Sequence, residues 1–294
     1  MKIKDTFGDK VLNLIIYTVV GALVLTIIYP LWLVLINSFS DANAVSMGKV
    51  KILPVGFNLD AYIQTFKYNG IVTGYLNSLY YTIVGTAMNM VLTIPSAYAL
   101  SKRNLKGRGI LMGLFMFTMY FSGGMIPTYI LVKNLGLMNT RGAVLWVSGL
   151  SVYNMIVARS FFESGVPREL EEAAEIDGCS PLQTFIRIVL PLSKAMLGVI
   201  MLYYAVAHWN AFTSSLYYQV MAEDLWPLQM VLRKLIMMAQ NAVYLQGEDA
   251  IYYAELLNKI KYSVIVVASV PMLVLFPFVQ KYFDKGVMLG SVKG

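Results

Sequence analysis

Long windows of apolar residues alternate with shorter polar segments along the whole chain. A helix that crosses a bilayer needs about 20 mainly apolar residues. The sequence contains six windows of about that length: 11–36, 75–101, 110–132, 143–162, 188–211 and 262–283. The pattern predicts an all-α integral membrane protein, with six transmembrane helices in a single domain that covers residues 1–294.

The composition agrees with this assignment. Hydrophobic residues make up 58% of the chain and charged residues 13%, whereas a soluble domain has about 25% charged residues. The first window is too long for the core of a signal peptide, and no small-residue cleavage site follows it. We therefore expect the first span to be retained.

The distribution of Lys and Arg predicts the orientation of the spans. With the N-terminus inside, the inner segments hold 14 of the 23 Lys and Arg residues, and the longer outer segments hold nine. The short basic loop at 102–109 is the clearest signal, and it predicts that both termini are cytoplasmic. The net charge of +7 therefore reflects topology and does not indicate a nucleic-acid partner.

Ionisable side chains are scarce in the predicted spans. The chain has one cysteine, Cys179, and one histidine, His208, which is too few for a zinc or haem site built from this chain alone. A membrane-embedded enzyme or a proton-coupled carrier would need such groups at membrane depth. We therefore predict no catalytic residues and no metal site, and a secondary transporter remains an alternative.

The segment between the fourth and fifth spans has a different character. Five carboxylates fall within nine residues here: Glu169, Glu171, Glu172, Glu175 and Asp177. Pro167 suits the first position of a helix, and carboxylates favour a helix N-terminus. Gly178 suits a left-handed helix end, and Ser180 with Pro181 suits the start of a second helix. The sequence predicts a cytoplasmic helix, turn and helix over residues 167–183.

Such a hairpin could be a solvated loop or a docking element. Leu170, Ala173, Ala174 and Ile176 give its first helix a small apolar face, which a fully solvated loop would not need. The carboxylates also depart from the usual excess of Lys and Arg in inner loops. Both features favour docking to a partner that carries basic groups.

The spacing of residues in this hairpin resembles a known signature. Glu172-Ala173-Ala174, three residues, Gly178, nine residues and Ile188-Val189-Leu190-Pro191 are similar to the EAA motif of membrane subunits of ATP-binding-cassette importers. The resemblance implies the type I importer permease fold, in which this segment is the coupling helix that docks into a cytoplasmic ATPase. The residues expected to serve coupling are Glu171, Glu172, Ala173, Ala174, Asp177 and Gly178.

Further stretches resemble the sugar permeases of this class. These stretches are 121–140, 208–212, 225–236 and 281–294. They are similar to the branch that imports complex, often uronate-containing oligosaccharides, alginate importers among them. The resemblance implies a bacterial cytoplasmic membrane, a second homologous permease, two ATPase subunits that hold ATP and Mg²⁺, and an extracytoplasmic solute-binding protein. This chain has no phosphate-binding loop, so ATP hydrolysis is assigned to the separate subunit. A neutral oligosaccharide remains an alternative substrate.

Candidate sugar-contacting residues lie in the fourth and fifth spans. Sugars are bound by aromatic faces and by amide and hydroxyl groups. The candidates are Tyr153, Asn154, Tyr203, His208, Trp209 and Asn210. Tyr and Trp also concentrate at membrane interfaces without any transport role, and Asn154 could equally join two helices.

The outer segment before the sixth span contains an apolar pattern at helical spacing within 225–240. It predicts an amphipathic helix at the outer interface. Basic residues that could attract an acidic sugar there are Arg233, Lys234, Lys259 and Lys261. They could equally balance the acidic residues nearby.

Overall fold

A computed structural model of the chain describes residues 6–241, 260–274 and 276–277. These residues form helices and no strand. The helices are α1 (Phe7–Ser38), α2 (Ala42–Ser46), α3 (Asp60–Lys67), α4 (Asn69–Ser101), α5 (Arg108–Tyr120), α6 (Met125–Asn134), α7 (Arg141–Val147), α8 (Val152–Gly165), α9 (Arg168–Ile176), α10 (Pro181–Thr184), α11 (Leu190–Leu192), α12 (Lys194–Asn210), α13 (Thr213–Tyr218), α14 (Leu228–Asn241) and α15 (Ile260–Val274). A π-helical turn (Phe185–Val189) joins α10 to α11, and a 3₁₀ turn (Glu223–Leu225) precedes α14.

Two of the described helices, α1 and α4, are long and apolar enough to cross a membrane. Three more crossings are possible if each of three bent helix pairs counts as one span. The pairs are α5 with α6, α7 with α8, and the arm Pro181–Leu192 with α12, bent by 112°, 47° and 83°. The sixth predicted span begins within α15, and its remainder lies largely outside the described residues.

The third predicted span is not one continuous helix. Four residues, 121–124, separate α5 from α6, and Gly124 has a φ of +90°. Glycine adopts such a backbone without the steric cost that a side chain brings. At 13 residues, α5 is about 20 Å long and is too short to cross the hydrocarbon core alone.

The fifth predicted span, 188–211, also differs from the structure. Helix α12 begins at Lys194, and the preceding helical segment, Pro181–Leu192, makes an angle of 83° with it. Pro191 cannot donate a backbone hydrogen bond, and a π-helical turn precedes it, so the helical ladder is already interrupted. Buried Ser193 closes the bend, because its hydroxyl donates to the Val189 carbonyl at 2.7 Å.

The described residues form two compact units. One contains 6–68, 235–241 and 260–270, and the other contains 69–234 with 271–274 and 276–277. In the first unit, the Trp32 indole donates to the Ile52 carbonyl at 2.8 Å. The Thr65 and Ser263 hydroxyls, 2.7 Å apart, join α3 to α15. Polar side chains therefore connect a loop to α1, and α3 to α15, within this unit.

In the second unit, α4 packs against α8 and α12. Ala97 on α4 and Ala158 on α8 are fully buried, as are Met155 and Ile200. Small residues let helices approach closely, which is a common means of packing inside a membrane. The three helices therefore form the core that positions the elements described below.

The start of α14 packs on α4. Leu228 and Val231 are buried, and a Cβ added to Gly74 would lie 2.9 Å from a Val231 methyl and 3.1 Å from the Leu228 backbone. The Ser78 hydroxyl accepts the Leu228 amide at 2.9 Å. The apolar face predicted at 225–240 is present, but in its first turn it covers a helix of the same chain.

Candidate functional site

The acidic hairpin (residues 167–184) folds as a helix, turn and helix, as its sequence predicts. Gly178 has a φ of +80°, and its amide donates to the Glu175 carbonyl at 3.0 Å. Ser180 and Gln183 form a reciprocal cap at the start of α10, with Pro181 as the first helical residue. Pro167 differs slightly from expectation, since it is the extended residue before α9 and not its first helical residue.

The two faces of α9 are distinct. Ala174 is buried, at 4% exposure, and the Glu171 carboxylate one turn earlier pairs with the Lys102 ammonium. Glu172, Ala173 and Asp177 are exposed. Of the residues predicted to serve coupling, Glu171 and Ala174 therefore face the chain itself, and the others are free to meet a partner.

Lys102, at the end of α4, has a second contact. Its ammonium lies 4.1 Å from the centre of the Tyr98 ring. That ring stacks on Phe185, 4.7 Å away between centroids, and meets Phe162 edge to face at 5.6 Å. The end of α4 is thus in contact with both arms of the hairpin segment and with α8.

A second charged cluster surrounds the last turn of α4. Arg108 and Arg159 each donate through Nε to the Leu100 carbonyl, at 2.9 and 3.1 Å. Both guanidinium groups also pair with the Glu163 carboxylate. The free carbonyls at a helix C-terminus favour cations, and Glu163 keeps the two cations from repelling each other.

The predicted sugar-contacting residues of α12 fall on opposite faces. His208 and Trp209 are buried, at 4% and 2% exposure, and the Trp209 ring meets Tyr75 edge to face at 5.5 Å. Tyr203 is 44% exposed, and Asn210 is exposed while its amide donates to the Val206 carbonyl at 2.9 Å. Only Tyr203 and Asn210 are therefore open to a ligand in this conformation.

His208 belongs to a hydrogen-bond network that satisfies backbone carbonyls in the break between α7 and α8. Its Nε2 lies 2.5 Å from Asn89 Oδ1. The Asn89 amide donates to the carbonyls of Ser148 and Gly149 at 2.6 and 2.7 Å. Because both amide hydrogens are used in this way, Oδ1 must accept, and His208 must carry its proton on Nε2.

Tyr204 accepts a hydrogen bond from a backbone amide at the other end of the same break, next to α8. Its hydroxyl lies 2.6 Å from Thr93 Oγ1 and accepts the Ser151 amide at 3.1 Å. The Ser151 hydroxyl in turn accepts the Asn154 amide at the start of α8. Backbone groups without water must find partners inside the protein, and α4 and α12 provide them here.

Asn154 and Tyr153, the candidates at the start of α8, differ in exposure. Asn154 is buried, at 7%, whereas Tyr153 is 56% exposed. Asn89, Thr93 and Tyr204 are not among the predicted site residues. Asn89 and Thr93 are polar residues four apart in an apolar span, and this spacing is the signal that could have identified them.

Two of the basic residues predicted at the outer side, Lys234 and Lys261, contact neighbouring side chains of the same chain. Lys234 pairs with Glu223 and lies 5.3 Å from the Trp226 ring, while Arg233 is half-buried and Lys261 lies 4.9 Å from the Tyr262 ring. Lys259 lies outside the described residues.

Arg141 adds a further cation to the second unit, at the start of α7. It lies 4.4 Å from the Tyr80 ring and donates to Asn77 Oδ1 at 3.1 Å. The guanidinium is therefore held in one orientation by two neighbours on α4.

Comparisons with known proteins extend over nearly the whole chain. The family model described as binding-protein-dependent transport system inner membrane component matches residues 68–289. The polygalacturonan/rhamnogalacturonan transport system permease protein YtcP of Bacillus subtilis (strain 168) is 39% identical over 287 residues, which cover 97% of this chain and 99% of that protein. Protein LplC of the same organism is 40% identical over 284 residues, which cover 97% of this chain and 94% of LplC.

One solved structure has the same fold over almost all of the chain. It is the crystal structure of a bacterial ABC transporter involved in the import of the acidic polysaccharide alginate. One chain of that transporter aligns with a TM-score of 0.84 and 30% identity, covering 96% of this chain and 100% of its own length. The similarity thus includes the acidic hairpin and the helices that hold it.

Proposed function

The chain belongs to the family of binding-protein-dependent transport system inner membrane components, the permease subunits of ATP-binding-cassette importers of sugars, and we propose that it imports acidic, uronate-containing oligosaccharides. The observation that supports this substrate class is the similarity, over nearly the full length, to a polygalacturonan/rhamnogalacturonan permease and to a chain of an alginate importer. Alginate is an acidic polysaccharide, and polygalacturonan is a polymer of a uronic acid.

The complete transporter comprises this chain, a second homologous permease, two ATPase subunits and an extracytoplasmic solute-binding protein. ATP and Mg²⁺ bind to the ATPase subunits, and this chain is the non-catalytic subunit. It spans a bacterial cytoplasmic membrane six times with both termini in the cytoplasm. The excess of Lys and Arg in the segments assigned to the inside supports this orientation.

The acidic hairpin docks on one ATPase subunit and transmits its movement. Glu172 and Asp177 are exposed beside exposed Ala173, so they are available for charge-assisted hydrogen bonds with basic groups of the ATPase. Gly178 supplies the left-handed turn between the arms. Glu171 and Ala174 have a structural role, since the ion pair of Glu171 with Lys102 and the burial of Ala174 pack α9 against the rest of this chain.

The sugar path includes the exposed face of α12. Tyr203 offers an aromatic face and Asn210 an amide, seven residues apart on the same side of the helix. Exposed Tyr153 at the start of α8 is a third candidate. His208, Trp209 and Asn154 act behind this surface, because their side chains are buried.

If the substrate is acidic, Arg141 is a candidate to bind its carboxylate. Its guanidinium is oriented by Tyr80 and Asn77, and it has no carboxylate within ion-pairing distance among the described residues. An oriented guanidinium can bind a carboxylate through two parallel hydrogen bonds. It therefore suits a uronate better than a neutral sugar.

Uptake by the reconstituted transporter tests this proposal. The chain, its partner permease, the ATPase subunits and the solute-binding protein are placed in liposomes, and ATP-driven uptake is measured for oligogalacturonate, alginate oligosaccharide and a neutral maltooligosaccharide. We expect uptake of an acidic oligosaccharide that requires ATP and the binding protein. Uptake of the neutral sugar alone would contradict the substrate class, and uptake driven by a proton gradient without ATP would identify a secondary transporter.

A further inference from the structure

The short helix α9 has one buried side chain among its residues. The helix has nine residues and is about 13 Å long. Ala174 is its one buried side chain. A single buried methyl group restricts rotation of the helix about its axis only weakly, so a second contact on the same face helps to fix which carboxylates point outward.

The ion pair between Lys102 and Glu171 is that second contact. Glu171 lies three residues before Ala174, so both occupy one face of α9. The Glu171 and Lys102 side chains are only 22% and 29% exposed. The carboxylates at 172 and 177 remain exposed.

Lys102 is itself held in position. Its ammonium lies over the Tyr98 ring, and this ring is packed between Phe162 of α8 and Phe185 of the second arm. The Leu100 carbonyl, two residues before Lys102, accepts hydrogen bonds from Arg108 and Arg159. The end of α4 is therefore a rigid support.

From this geometry we infer that Lys102 is a positioning residue, which couples the acidic hairpin directly to α4 through Glu171. The hairpin is joined covalently to α8 and, through the second arm, to α12. The ion pair adds a third connection, to the helix that packs against both of them. A movement of α9 therefore displaces all three core helices together, and Lys102 keeps Glu172 directed toward the ATPase. This inference rests on the proposed function.

Charge reversal and charge exchange test the connection. Lys102→Glu and Glu171→Lys each replace attraction with repulsion, whereas the double variant restores an ion pair in the opposite sense. Arg103→Glu is the matched control, because Arg103 is the adjacent residue, is exposed and carries the same charge. All variants are assembled into the complete transporter, and transport per ATP hydrolysed is measured in liposomes.

We expect each single reversal to lower transport per ATP by about three- to tenfold. The double variant should recover most of this loss, and Arg103→Glu should match the wild type. A residue that served only assembly would lower the yield of complex and leave the ratio of transport to hydrolysis unchanged. If single reversals block assembly, Lys102→Gln and Lys102→Arg are compared instead, with a loss expected only for Lys102→Gln.

The inference is overturned if Lys102→Glu behaves like Arg103→Glu, or if the double variant is no better than the single ones. Failure of the proposed function gives a separate result, because the wild-type complex itself would then show no ATP-driven uptake of an oligosaccharide.

Discussion

The imidazole Nε2 of His208, in the last turn of α12, lies 2.5 Å from the amide oxygen of Asn89, near the middle of α4. Through this contact His208 orients the amide that satisfies two free carbonyls, those of Ser148 and Gly149. The break between α7 and α8 is thus stabilised by hydrogen bonds with side chains of α4 and α12.

Removal of the Asn89 amide should destabilise the protein. Asn89→Leu keeps the size of the side chain but removes the donor to the carbonyls of exposed Ser148 and buried Gly149. A buried carbonyl without a partner costs about 1–3 kcal/mol. We expect a clearly lower melting temperature for the purified transporter. Ser96→Ala is the control on the same helix, since that hydroxyl only donates to its own Leu92 carbonyl. Equal melting temperatures for the two variants would contradict the network.

The close approach of α4 and α12 gives a second prediction. A Cβ at Gly85 would lie 2.6 Å from the His208 ring, and that ring cannot move aside because it is buried and bonded to Asn89. We expect Gly85→Ala to lower the free energy of unfolding by about 1–3 kcal/mol. In Gly113→Ala the added methyl meets nothing within 4 Å, so we expect no loss and up to about 1 kcal/mol of gain from helix propensity. A chemical denaturation series on both variants decides the matter, and equal losses would refute the proposed contact.

The turn of the acidic hairpin gives a third prediction. Proline cannot adopt the φ of +80° at Gly178, and it removes the hydrogen bond to the Glu175 carbonyl. We expect Gly178→Pro to insert into the membrane normally but to lose the stimulation of ATP hydrolysis by sugar-loaded binding protein. Gly48 is closely matched, with a φ of +67° and an amide that donates to the Val45 carbonyl. If Gly48→Pro loses stimulation to the same extent, the effect of Gly178→Pro is not specific to the hairpin.

The two proposed sugar contacts on α12, Tyr203 and Asn210, are exposed, whereas His208 and Trp209 are buried. Loss of a binding contact worth about 1 kcal/mol or more changes affinity at least about fivefold. We therefore expect Tyr203→Ala and Asn210→Ala to raise the KM for uptake by about that factor, with unchanged melting temperatures. Met201→Ala is a control on the same helix, because Met201 is 49% exposed and offers no aromatic or amide group. Wild-type KM values for both variants would exclude this face from the sugar path.

Sequence patterns were sufficient to predict the parts of the structure that depend on the conformational preferences of neighbouring residues. The two long spans follow from apolar run length, and the turn at Gly178 and the cap at Ser180 follow from residue chemistry at fixed spacing. The bends at Gly124 and Ser193 are harder to predict. A glycine within an apolar run permits a bend but does not by itself indicate one, and the bend at Ser193 depends on the hydrogen bond of its hydroxyl to the Val189 carbonyl. The partner of Glu171 could not be predicted either, because Lys102 is 69 residues away along the chain and meets it only after folding.

Contacts between distant parts of the chain also determine which of the predicted sugar-contacting residues are buried and which are exposed. Tyr203, His208, Trp209 and Asn210 share a short polar and aromatic stretch, and their composition does not reveal which side of α12 packs on α4. The buried polar stripe of α4, which includes Asn89 and Thr93, determines that side. Pairing of polar positions between two apolar helices is information that one sequence does not provide.

The central claim is that this chain couples ATP hydrolysis to import through the exposed carboxylates of the acidic hairpin. Its most direct test is the rate of ATP hydrolysis by the complete transporter in liposomes, with and without sugar-loaded binding protein, for Glu172→Lys. Asp60→Lys is the control, since Asp60 is also an exposed carboxylate on a helix, but on the predicted outer side. We expect Glu172→Lys to lower the stimulated rate at least about tenfold, because a basic group of the ATPase is then left facing a like charge, and Asp60→Lys to match the wild type. A wild-type stimulated rate for Glu172→Lys would contradict the account.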